Sequence, residues 1–577
     1  MASSAAEQTF GLRTERNPML TRALLIQSGV ALATLALVIS PLAPVLWQSL
    51  LDRPLYEAAG ILSLDNYVRL FGDAAFFEVM TNSLLLAFCT TIVSCGLGVS
   101  FAVLLERTNL PLRSMMRGIV MWPMYISHLV IAFSWFIMYG PSGYITLFSN
   151  QWFGGSFWNL YSIIGMSVVA GTSIAPLVYL FCASSAKMAD ASLEDAGRMV
   201  GAGALRVIWS ISIPLMRPAI MYSAMLAFIG SLEMLSVPLV FGRPVGLEFF
   251  TTFLYSRGLG GIEPDYGMLG AAAAVFLVII SVLLALQGLL LRKANRFVTV
   301  KGKAQRRKLA DLGPMRWGII GLLIVYHVVV LALPLGGIVM RSFTTFLTPL
   351  MSPWELLTTD NFKLIFEYPA YIRAITNSLL ISTFGGALAT IFVAILTIVV
   401  HRSDFRWRKP LEYVALYPRA IPGIVAGIGL FWAMLLLPYV DRLSGTIWIL
   451  ILAFTMRGIP TAFGAISPAL MQIGKELDQG SRSSGADWWT TSTHIVLPLL
   501  KPAIFGAYVL LFLSFLKEYS AAVFLFSPGN EIIGTTMLSF WGNGDSGPVA
   551  ALSVIQLVLT ALFVFAAQRL LRSKQDV

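Results

Sequence analysis

The chain has 577 residues, of which 57% are apolar and only 12% are charged. Soluble proteins carry about 25% charged residues, so this composition excludes a soluble domain and a disordered chain. The formal net charge of +11 at pH 7 is spread over loops between long apolar segments, which excludes DNA binding by a basic surface. The three cysteines lie inside apolar segments without a Cys-x-x-Cys pair, so neither a disulfide framework nor a thiolate metal site is expected.

Long segments without Asp, Glu, Lys or Arg recur along the chain, for example at residues 79–105, 118–186 and 374–401. A helix needs about 20 apolar residues to cross a bilayer core, so each segment can span, and the longest can span twice. The sequence therefore predicts an all-α polytopic membrane protein with about twelve transmembrane helices. In chain order the expected spans are 21–50, 79–105, 118–139, 160–186, 214–241, 266–291, 315–340, 374–400, 411–437, 443–470, 498–526 and 547–570.

The distribution of Lys and Arg predicts the orientation of these spans, because cytoplasmic loops carry the excess of both residues. Placing both termini in the cytoplasm puts most of the 40 Lys and Arg on the cytoplasmic side. Residues 1–20 lack a short apolar core followed by a small-residue cleavage site, so we expect a retained cytoplasmic tail. Residues 572–577 would form a second cytoplasmic tail.

The most basic segment is the predicted cytoplasmic linker at residues 292–314. One interpretation is a topogenic linker that fixes the orientation of the seventh span and contacts lipid phosphates. The alternative is a regulatory or partner-docking segment, and the sequence leaves both interpretations open.

The chain contains two copies of one unit. Residues Asp65–Phe71 recur as Asp360–Phe366 at an offset of 295. Two six-span units in the same orientation are related by a pseudo-twofold axis along the membrane normal. We therefore expect one unit at residues 21–291 and another at residues 315–571, with a substrate pathway between them. After the third span the offset falls to 284, as in the pairs Gly201 with Gly485, Pro214 with Pro498 and Ser236 with Ser520.

The loop between the fourth and fifth spans of each unit has an unusual pattern. Residues Leu193–Ala202 and Leu477–Ala486 each hold an acidic residue and, seven positions later, a glycine; a proline follows thirteen residues after that glycine. The pattern predicts a short polar helix, a chain reversal at the glycine and a proline at the start of the next span. Such an element fits a rigid cytoplasmic handle for a soluble partner; the alternative is an ordinary amphipathic loop.

This duplicated loop resembles the "EAA" coupling motif of ATP-binding-cassette importer permeases, in which the helix fits into a groove of the ATPase subunit. The second copy departs from the pattern, because aspartate replaces glutamate and Gln479-Gly480 replaces the two alanines. By position, the resemblance implies the coupling residues Glu194, Ala196, Arg198, Gly201 and Pro214 in the first unit and Asp478, Gly480, Arg482, Gly485 and Pro498 in the second.

Other segments narrow the resemblance to fused permeases of the ferric-iron group. Phe297–Lys303 is similar to their central linker, and Lys517–Ala521 and Ser527–Glu531 are similar to the fifth-span region of their second half. The resemblance implies a type I importer fold in the bacterial inner membrane. It also implies two copies of an ATPase subunit that binds ATP and Mg, and a periplasmic solute-binding protein. The implied solute is ferric iron, and the polyamines, thiamine and phosphonates carried by relatives of that group remain alternatives.

The chain contains no phosphate-binding loop of the form Gly-x-x-x-x-Gly-Lys-Ser/Thr. ATP hydrolysis is therefore expected on a separate subunit, and this chain is expected to be a transport subunit without catalysis, a cofactor or a nucleic-acid partner. The four histidines share no metal-ligand spacing, so no metal site is predicted.

Ionisable residues inside spans are costly and usually face a bundle interior or water. Glu233 in the fifth span corresponds to Lys517 at the offset of 284, and Glu518 and Tyr519 follow it directly. We hypothesise that Glu233 and Lys517 form a gate pair across the pathway, and that Glu518 offers a carboxylate to a cationic solute, with Tyr519 beside it. Arg457 in the tenth span complicates a purely anionic path. The alternative is that neighbouring helices hold these charges for packing alone.

An ion-coupled secondary transporter is the main alternative from another class, since it too can consist of two six-span halves. Its coupling would need acidic relays inside the spans and no handle for an ATPase, so the duplicated loop argues against it. An integral-membrane enzyme would need clustered His or acidic ligands at the membrane face, and the sequence displays none.

Overall fold

The computed structural model describes residues 18–57, 60–188, 191–259, 264–294, 309–437 and 441–573. These residues form helices joined by short loops, and their only β pairing is in isolated bridges. Ten helices are long and apolar enough to cross a membrane, and two bent helix pairs raise the number to as many as twelve. The prediction of an all-α polytopic protein is therefore confirmed. Most of the predicted tails and of the central linker lies outside the described residues, so their assignments stay predictions.

The bent pairs supply the fifth and ninth spans. Ile208–Leu215 meets Arg217–Leu232 at 64°, and Arg408–Ala420 meets Gly423–Leu436 at 108°. The other spans are, in chain order, Arg22–Ser49, Ala74–Arg107, His128–Phe153, Ile163–Lys187, Tyr266–Leu290, Met315–Ser342, Pro369–Arg402, Ile447–Gln472, Trp488–Lys517 and Ser546–Leu570. The main short helices are Asp65–Gly72, Arg113–Met121, Ala191–Met199, Phe250–Leu259, Asp360–Glu367, Glu476–Ser483 and Ile533–Gly542.

The predicted start of the third span is wrong. That span begins at His128 and not at residue 118, because Arg113–Met121 forms a separate helix that continues only into a short 3₁₀ turn containing Pro123. Proline lacks the amide that a continuing α-helix requires. Ser127 then caps the new helix by accepting a hydrogen bond from the amide of Leu129. Apolar composition alone could not show this interruption, since residues 118–139 on both sides of it carry no charge.

The fifth and eleventh spans also end before their predicted limits at residues 241 and 526. Their helices stop at Leu232 and Lys517. In the second unit the Glu518 carboxylate accepts hydrogen bonds from the amides two and three residues ahead, at 3.0 and 3.3 Å, so these amides cannot continue the helix. In the first unit the amide of Met234 donates to the carbonyl of Ser231 at 3.2 Å, which is not an α-helical bond, and Pro238 begins the next helical turn. Both interruptions place ionisable side chains at a helix end.

The repeated Asp65–Phe71 motif has a structural role in each unit. The side-chain amide of Asn66 donates to the carbonyls of Ser49 and Leu51, at 3.2 and 2.7 Å, where the first span ends. Asn361 makes the corresponding bonds, at 3.0 and 3.1 Å, at the end of the seventh span. Carbonyls at a helix end lack partners within the helix, so the repeated asparagine supplies donors for them.

Contacts divide the chain into two compact bodies, which differ from the two units of the sequence repeat. One body combines the described part of Met1–Ile39 with Ala387–Pro418 and Gly458–Leu511. The start of the first span therefore packs with helices of the second half. The other body comprises the described parts of Ser40–Gly386, Arg419–Arg457 and Phe512–Val577.

Within the larger compact body, the seventh span packs against helices of the first half. The Tyr139 hydroxyl in the third span donates to the carbonyl of Val329, at 2.8 Å. Phe101 in the second span lies edge-on to Tyr326, with ring centroids 5.3 Å apart. The seventh span thus contacts the first half as well as the last span of its own half, where Arg341 donates to the Ser546 hydroxyl at 3.2 Å. The division at residues 21–291 and 315–571 remains a proposal based on the sequence repeat.

Gly267→Ala is expected to destabilise the protein, because a Cβ atom there would collide with the side-chain amide of Asn66. The expected cost is about 1–3 kcal/mol, as for other insertions into a packed site. Gly288→Ala in the same helix is the matched control, because its Cβ would meet open space and alanine favours a helix. Thermal unfolding of both detergent-solubilised variants measures the difference, and equal melting temperatures would contradict the asparagine cap.

Candidate functional site

The loops between the fourth and fifth spans form the short helices that the sequence predicts. We call Ala191–Met199 the first loop helix and Glu476–Ser483 the second loop helix. Gly201 and Gly485 have φ angles of +83° and +86°, a region that glycine adopts without steric cost. The amide of the residue after each glycine donates to the carbonyl five residues earlier, at 3.1 and 3.2 Å. This bond reverses the chain at the helix end.

The acidic residue of the first loop helix is buried against the second span. Glu194 is 5% exposed. Its Oε1 lies 3.2 Å from Nη1 of Arg107, the last residue of the second span. The Ser212 hydroxyl donates to the same oxygen at 2.6 Å. The first loop helix is thus fixed to the end of the second span and to the start of the fifth.

The second loop helix has the equivalent arrangement. Nη1 of Arg402 lies 2.7 Å from Oδ2 of Asp478, and the Arg402 guanidinium also donates to the carbonyls of Leu470, at 2.9 Å, and Ile473. Arg402 corresponds to Arg107 at the offset of 295, and Asp478 corresponds to Glu194 at the offset of 284. Both units therefore place an arginine at the end of the second or eighth span against the acid of the loop helix.

The outward faces of the two loop helices differ in polarity. In the first loop helix and the residue after it the exposed side chains are mostly apolar, and Met199 and Val200 are each 85% exposed. Serines 483 and 484 occupy the equivalent positions of the second unit and are also exposed. Ala196 and Gly480 lie on exposed positions of their helices, and Arg482 is half exposed and pairs with Asp404 at 3.3 Å. The side chain of Arg198 lies outside the described part of the structure.

Pro214 and Pro498 each follow a five-residue π-helical turn. These turns are Ile208–Ser212 and Ser492–Val496. A π turn shifts the hydrogen-bond register by one residue, which accommodates the donor that proline lacks. The first unit then bends by 64° after Pro214, whereas Trp488–Lys517 continues as one span in the second unit.

Arg457 joins the two acidic residues that lie at the helix interruptions. Its Nη2 lies 3.8 Å from Oε2 of Glu233, and its Nη1 contacts Oε2 of Glu518. The three side chains are 17–23% exposed. The Ser520 hydroxyl donates to the other Glu518 oxygen at 2.7 Å. We call Glu233, Arg457, Glu518 and Ser520 the charged cluster.

The structure does not pair Glu233 with Lys517 as the repeat led us to hypothesise. Lys517 donates to the carbonyl of Met124 at 2.7 Å, and Arg457 takes the position opposite Glu233. Tyr519 is 8% exposed and packs against Gly534 at the start of a short helix. Of the four predicted pathway residues, only Glu233 and Glu518 therefore meet through a shared partner.

Glycines of the ninth span permit its close approach to the charged cluster. A Cβ atom at Gly423 would collide with the Ser520 hydroxyl and lie 2.6 Å from Nη1 of Arg457. One helical turn later, a Cβ atom at Gly427 would collide with the carbonyl of Ala521. The span that begins after the 108° bend therefore packs directly on the interruption of the eleventh span.

Sequence reasoning missed the roles of three arginines. Arg457 was visible as a single cation in a long apolar segment, and such residues mark functional sites in membrane proteins. Arg107 and Arg402 were visible as equivalent residues of the repeat at the offset of 295. Their pairing with the loop helices was not visible, because it joins residues that are far apart in the chain.

The motif Ser527–Glu531 forms a loop that is fixed to the eighth span. The Arg373 guanidinium donates two hydrogen bonds to the Glu531 carboxylate, both at 2.9 Å. Asn377, one turn later, donates to the backbone carbonyl of Glu531 at 2.9 Å. The hydrogen bonds from Arg373 lower the pKa of Glu531 to about 2, so this carboxylate is charged at neutral and mildly acidic pH.

Comparison with known proteins finds one family model in both halves of the chain. The model described as "Binding-protein-dependent transport system inner membrane component" matches residues 96–296 and 386–576. Each match includes one loop helix.

Curated relatives match most of the chain. A ferric transport system permease protein of Actinobacillus pleuropneumoniae is 28% identical over 87% of this chain and 72% of its own length. An Fe(3+)-transport system permease protein of Haemophilus influenzae is 24% identical over 86% of this chain and 90% of its own length. A protein of Salmonella typhimurium, named provisionally for 2-aminoethylphosphonate transport, is 26% identical over 43% of this chain and 91% of its own length.

Among solved structures, a bacterial transporter that imports the acidic polysaccharide alginate matches with a TM-score of 0.34 and 18% identity. The match covers 44% of this chain and 96% of that chain.

Glu531→Gln is expected to lower the melting temperature at pH 7, because it removes the charge that Arg373 binds. The folded-state pKa of about 2 is lower than the ordinary glutamate value, so the stabilisation is present above that ordinary value and is lost as the pH falls toward 2. Thermal unfolding from pH 7 down to pH 3 should show the difference between wild type and variant shrinking. A difference that is constant across this range would contradict the ion pair.

Proposed function

Because the chain belongs to the family of binding-protein-dependent transport system inner membrane components, with a match in each half, we propose that it is the fused transmembrane subunit of an ATP-driven importer for ferric iron. Membership makes it a multi-pass inner-membrane permease, the non-catalytic part of an ATP-binding-cassette importer. The double match is the observation that carries the proposal, since one chain then supplies both halves of the permease. Both termini would lie in the cytoplasm.

The loop helices would be the sites that receive work from the ATPase. Each is an ordered helix whose acid is bound within this chain, while the opposite face is exposed. An exposed face on a fixed helix can enter a groove of a soluble partner without the entropy cost of first ordering that helix. We assign to this contact two copies of one ATPase subunit, which would bind ATP and Mg, with the coupling residues named from the sequence.

Ferric iron is the proposed solute because relatives that align with 86–87% of the chain are named for ferric transport. Carboxylate oxygens are hard ligands that suit hard cations, and the charged cluster offers two carboxylates, those of Glu233 and Glu518. Polyamines and thiamine are cationic and remain alternatives. A phosphonate is a further alternative, because a shorter relative carries that name.

We place the charged cluster on the translocation pathway. Charges inside a membrane protein usually face a bundle interior or a water-filled cavity, and discontinuous helices commonly form transporter binding sites. Glu233 and Glu518 both lie at helix interruptions and share Arg457. Arg457 would balance the carboxylates when no cation is present, with Lys517 and Tyr519 beside them.

Transport would proceed by alternating access. ATP binding would close the ATPase dimer and bring the loop helices together, and the pathway would open toward a docked periplasmic binding protein. Hydrolysis would return it to the inward-open state.

Proteoliposomes test this function directly. The chain, reconstituted with its ATPase and its binding protein, should accumulate radiolabelled ferric iron only when ATP is present inside. Parallel assays with a polyamine, thiamine and 2-aminoethylphosphonate distinguish the alternative solutes. Iron uptake driven by a proton gradient without the ATPase would instead favour the secondary transporter.

Gly201→Pro and Glu194→Lys are expected to uncouple ATP hydrolysis from uptake while membrane insertion persists. Proline requires a φ near −65°, whereas Gly201 has +83°, and a lysine at position 194 would face Arg107. Gly203→Ala is the control, since a Cβ atom there meets open space. The ratio of iron imported to ATP hydrolysed is the measurement, and unimpaired uptake in both variants would contradict the role of the first loop helix.

Arg457→Gln is expected to reduce uptake by about tenfold or more, because it leaves two carboxylates without their shared counter-ion in a poorly hydrated site. Adding Glu233→Gln to that variant should restore part of the rate by removing one uncompensated charge. Arg243→Gln, at an exposed outer position, is the control. Unchanged uptake in Arg457→Gln would show that the cluster only packs the helices.

A further inference from the structure

The second and eighth spans connect the loop helices with the outer helices beside the charged cluster. Each of these spans is 34 residues long and ends in the arginine, Arg107 or Arg402, that binds a loop helix. Near the opposite end, Ser83 accepts a hydrogen bond from the amide of Phe250, at 2.7 Å. Ser378, its equivalent at the offset of 295, accepts one from the amide of Ile533, at 2.9 Å.

These bonds define a continuous path in each unit. Phe250 and Ile533 begin the short outer helices that follow the interrupted fifth and eleventh spans. A long helix moves as a rod when both ends are bonded, so displacement of a loop helix would reach the outer helix. We propose that Arg107 and Arg402 are positioning residues that transmit loop-helix movement to these spans, and that the joint at Arg107 is the tighter of the two. This inference rests on the proposed coupling function.

Burial makes both arginines suitable for this role. The side chains of Arg107 and Glu194 are 4% and 7% exposed, and those of Arg402 and Asp478 are 5% and 19% exposed. Removal of one partner from a buried ion pair leaves an uncompensated charge, which destabilises the arrangement more than the loss of a surface pair would. The loop helix and the span are therefore held in one position while the pair persists.

The first joint has a hydroxyl that the second joint lacks. Ser212 donates to the Glu194 carboxylate, whereas the equivalent residue at the offset of 284 is Val496. In the described part of the chain, Oδ1 of Asp478 is buried and has no hydrogen-bond partner. Among the described contacts, the acid of the second loop helix therefore has one side-chain partner, Arg402, whereas the acid of the first has two.

The end of the linker adds a second restraint to the first joint. The amide of Ala310 donates to the carbonyl of Arg107 at 2.9 Å, and the amide of Asn109 donates to the carbonyl of Ala310 at 3.1 Å. Asn109 also donates to Asp311 through its side chain, at 2.6 Å. In the second unit the residue equivalent to Asn109 is Asp404, which instead forms an exposed pair with Arg482.

The rods themselves also differ. The second span is one uninterrupted α-helix from Ala74 to Arg107. The eighth span contains the π-helical turn Ile381–Gly385, at which the hydrogen-bond register changes. The first unit thus combines a second partner for its acid, the bonds from the linker and an uninterrupted rod. We assign it the tighter joint on these grounds, although Arg402 makes two further bonds to backbone carbonyls.

The test compares Arg107→Gln and Arg402→Gln in the complex with ATPase and binding protein in proteoliposomes. Each variant should hydrolyse ATP while the ratio of iron imported to ATP hydrolysed falls by about tenfold, since one buried partner is lost, and Arg107→Gln should lose more. The double variant Arg402→Asp/Asp478→Arg should recover part of the ratio. Arg69→Gln, in an exposed ion pair at 3.0 Å, is the control and should match wild type.

Unchanged ratios in both single variants, alongside ATP-driven uptake by wild type, would overturn the joints while leaving the proposed function intact. Absence of ATP-driven uptake by wild type would overturn the proposed function and the transmission with it. A larger loss in Arg402→Gln than in Arg107→Gln would overturn the assigned order of tightness.

Thermal unfolding tests the missing hydroxyl independently of transport. Val496→Thr keeps the shape of the side chain and places a hydroxyl at the position equivalent to Ser212, so it should raise the melting temperature, and the gain should disappear in an Asp478→Ala background. Ser212→Val should lower the melting temperature. A gain from Val496→Thr that persists without the aspartate, or no loss from Ser212→Val, would overturn the proposed difference between the joints.

Discussion

A bilayer core offers no water to satisfy polar groups, so a spanning chain must pair them internally. Where the helices are continuous, the backbone meets this requirement by itself. Where the fifth and eleventh spans stop, side chains must meet it, and the carboxylate of Glu518 does so by accepting hydrogen bonds from the amides beyond the break. The resulting buried negative charges in turn require Arg457. The charged cluster thus follows from the interruption of two apolar helices.

The duplicated architecture separates positions that maintain the framework from positions that have diverged. Asn66 and Asn361 make the same backbone bonds in the two units, and an arginine binds a loop helix in each. At the end of the second span, however, Glu106 accepts a hydrogen bond from Tyr179 at 3.0 Å. Its counterpart His401 instead contacts Ser467 at 2.6 Å. Backbone-directed bonds persist because every copy of the fold needs them, whereas side-chain pairs can be exchanged together.

Much of the framework follows from the sequence because its signals are local. Apolar length predicts the number of spans, and the glycine and proline spacing predicts both loop helices together with the positive φ of Gly201 and Gly485. The interruptions after Leu232 and Lys517 are not predicted, because apolar residues resume a few positions beyond the charged residues at each break. The partner of Glu233 is also unpredictable, since Arg457 lies more than two hundred residues away and only packing brings them together. The contacts of the seventh span with the first half depend on packing for the same reason.

The unequal outward faces of the loop helices have a consequence for the proposed ATPase pair. Two identical motor subunits are interchangeable in solution, yet one would meet Met199 and Val200 while the other would meet two serines. The same groove of the ATPase would then have to bind both an apolar and a polar helix face. The shape of that groove could not be optimal for both faces. A single substitution in the ATPase would change both contacts, and it would affect the contacts with the two loop helices differently.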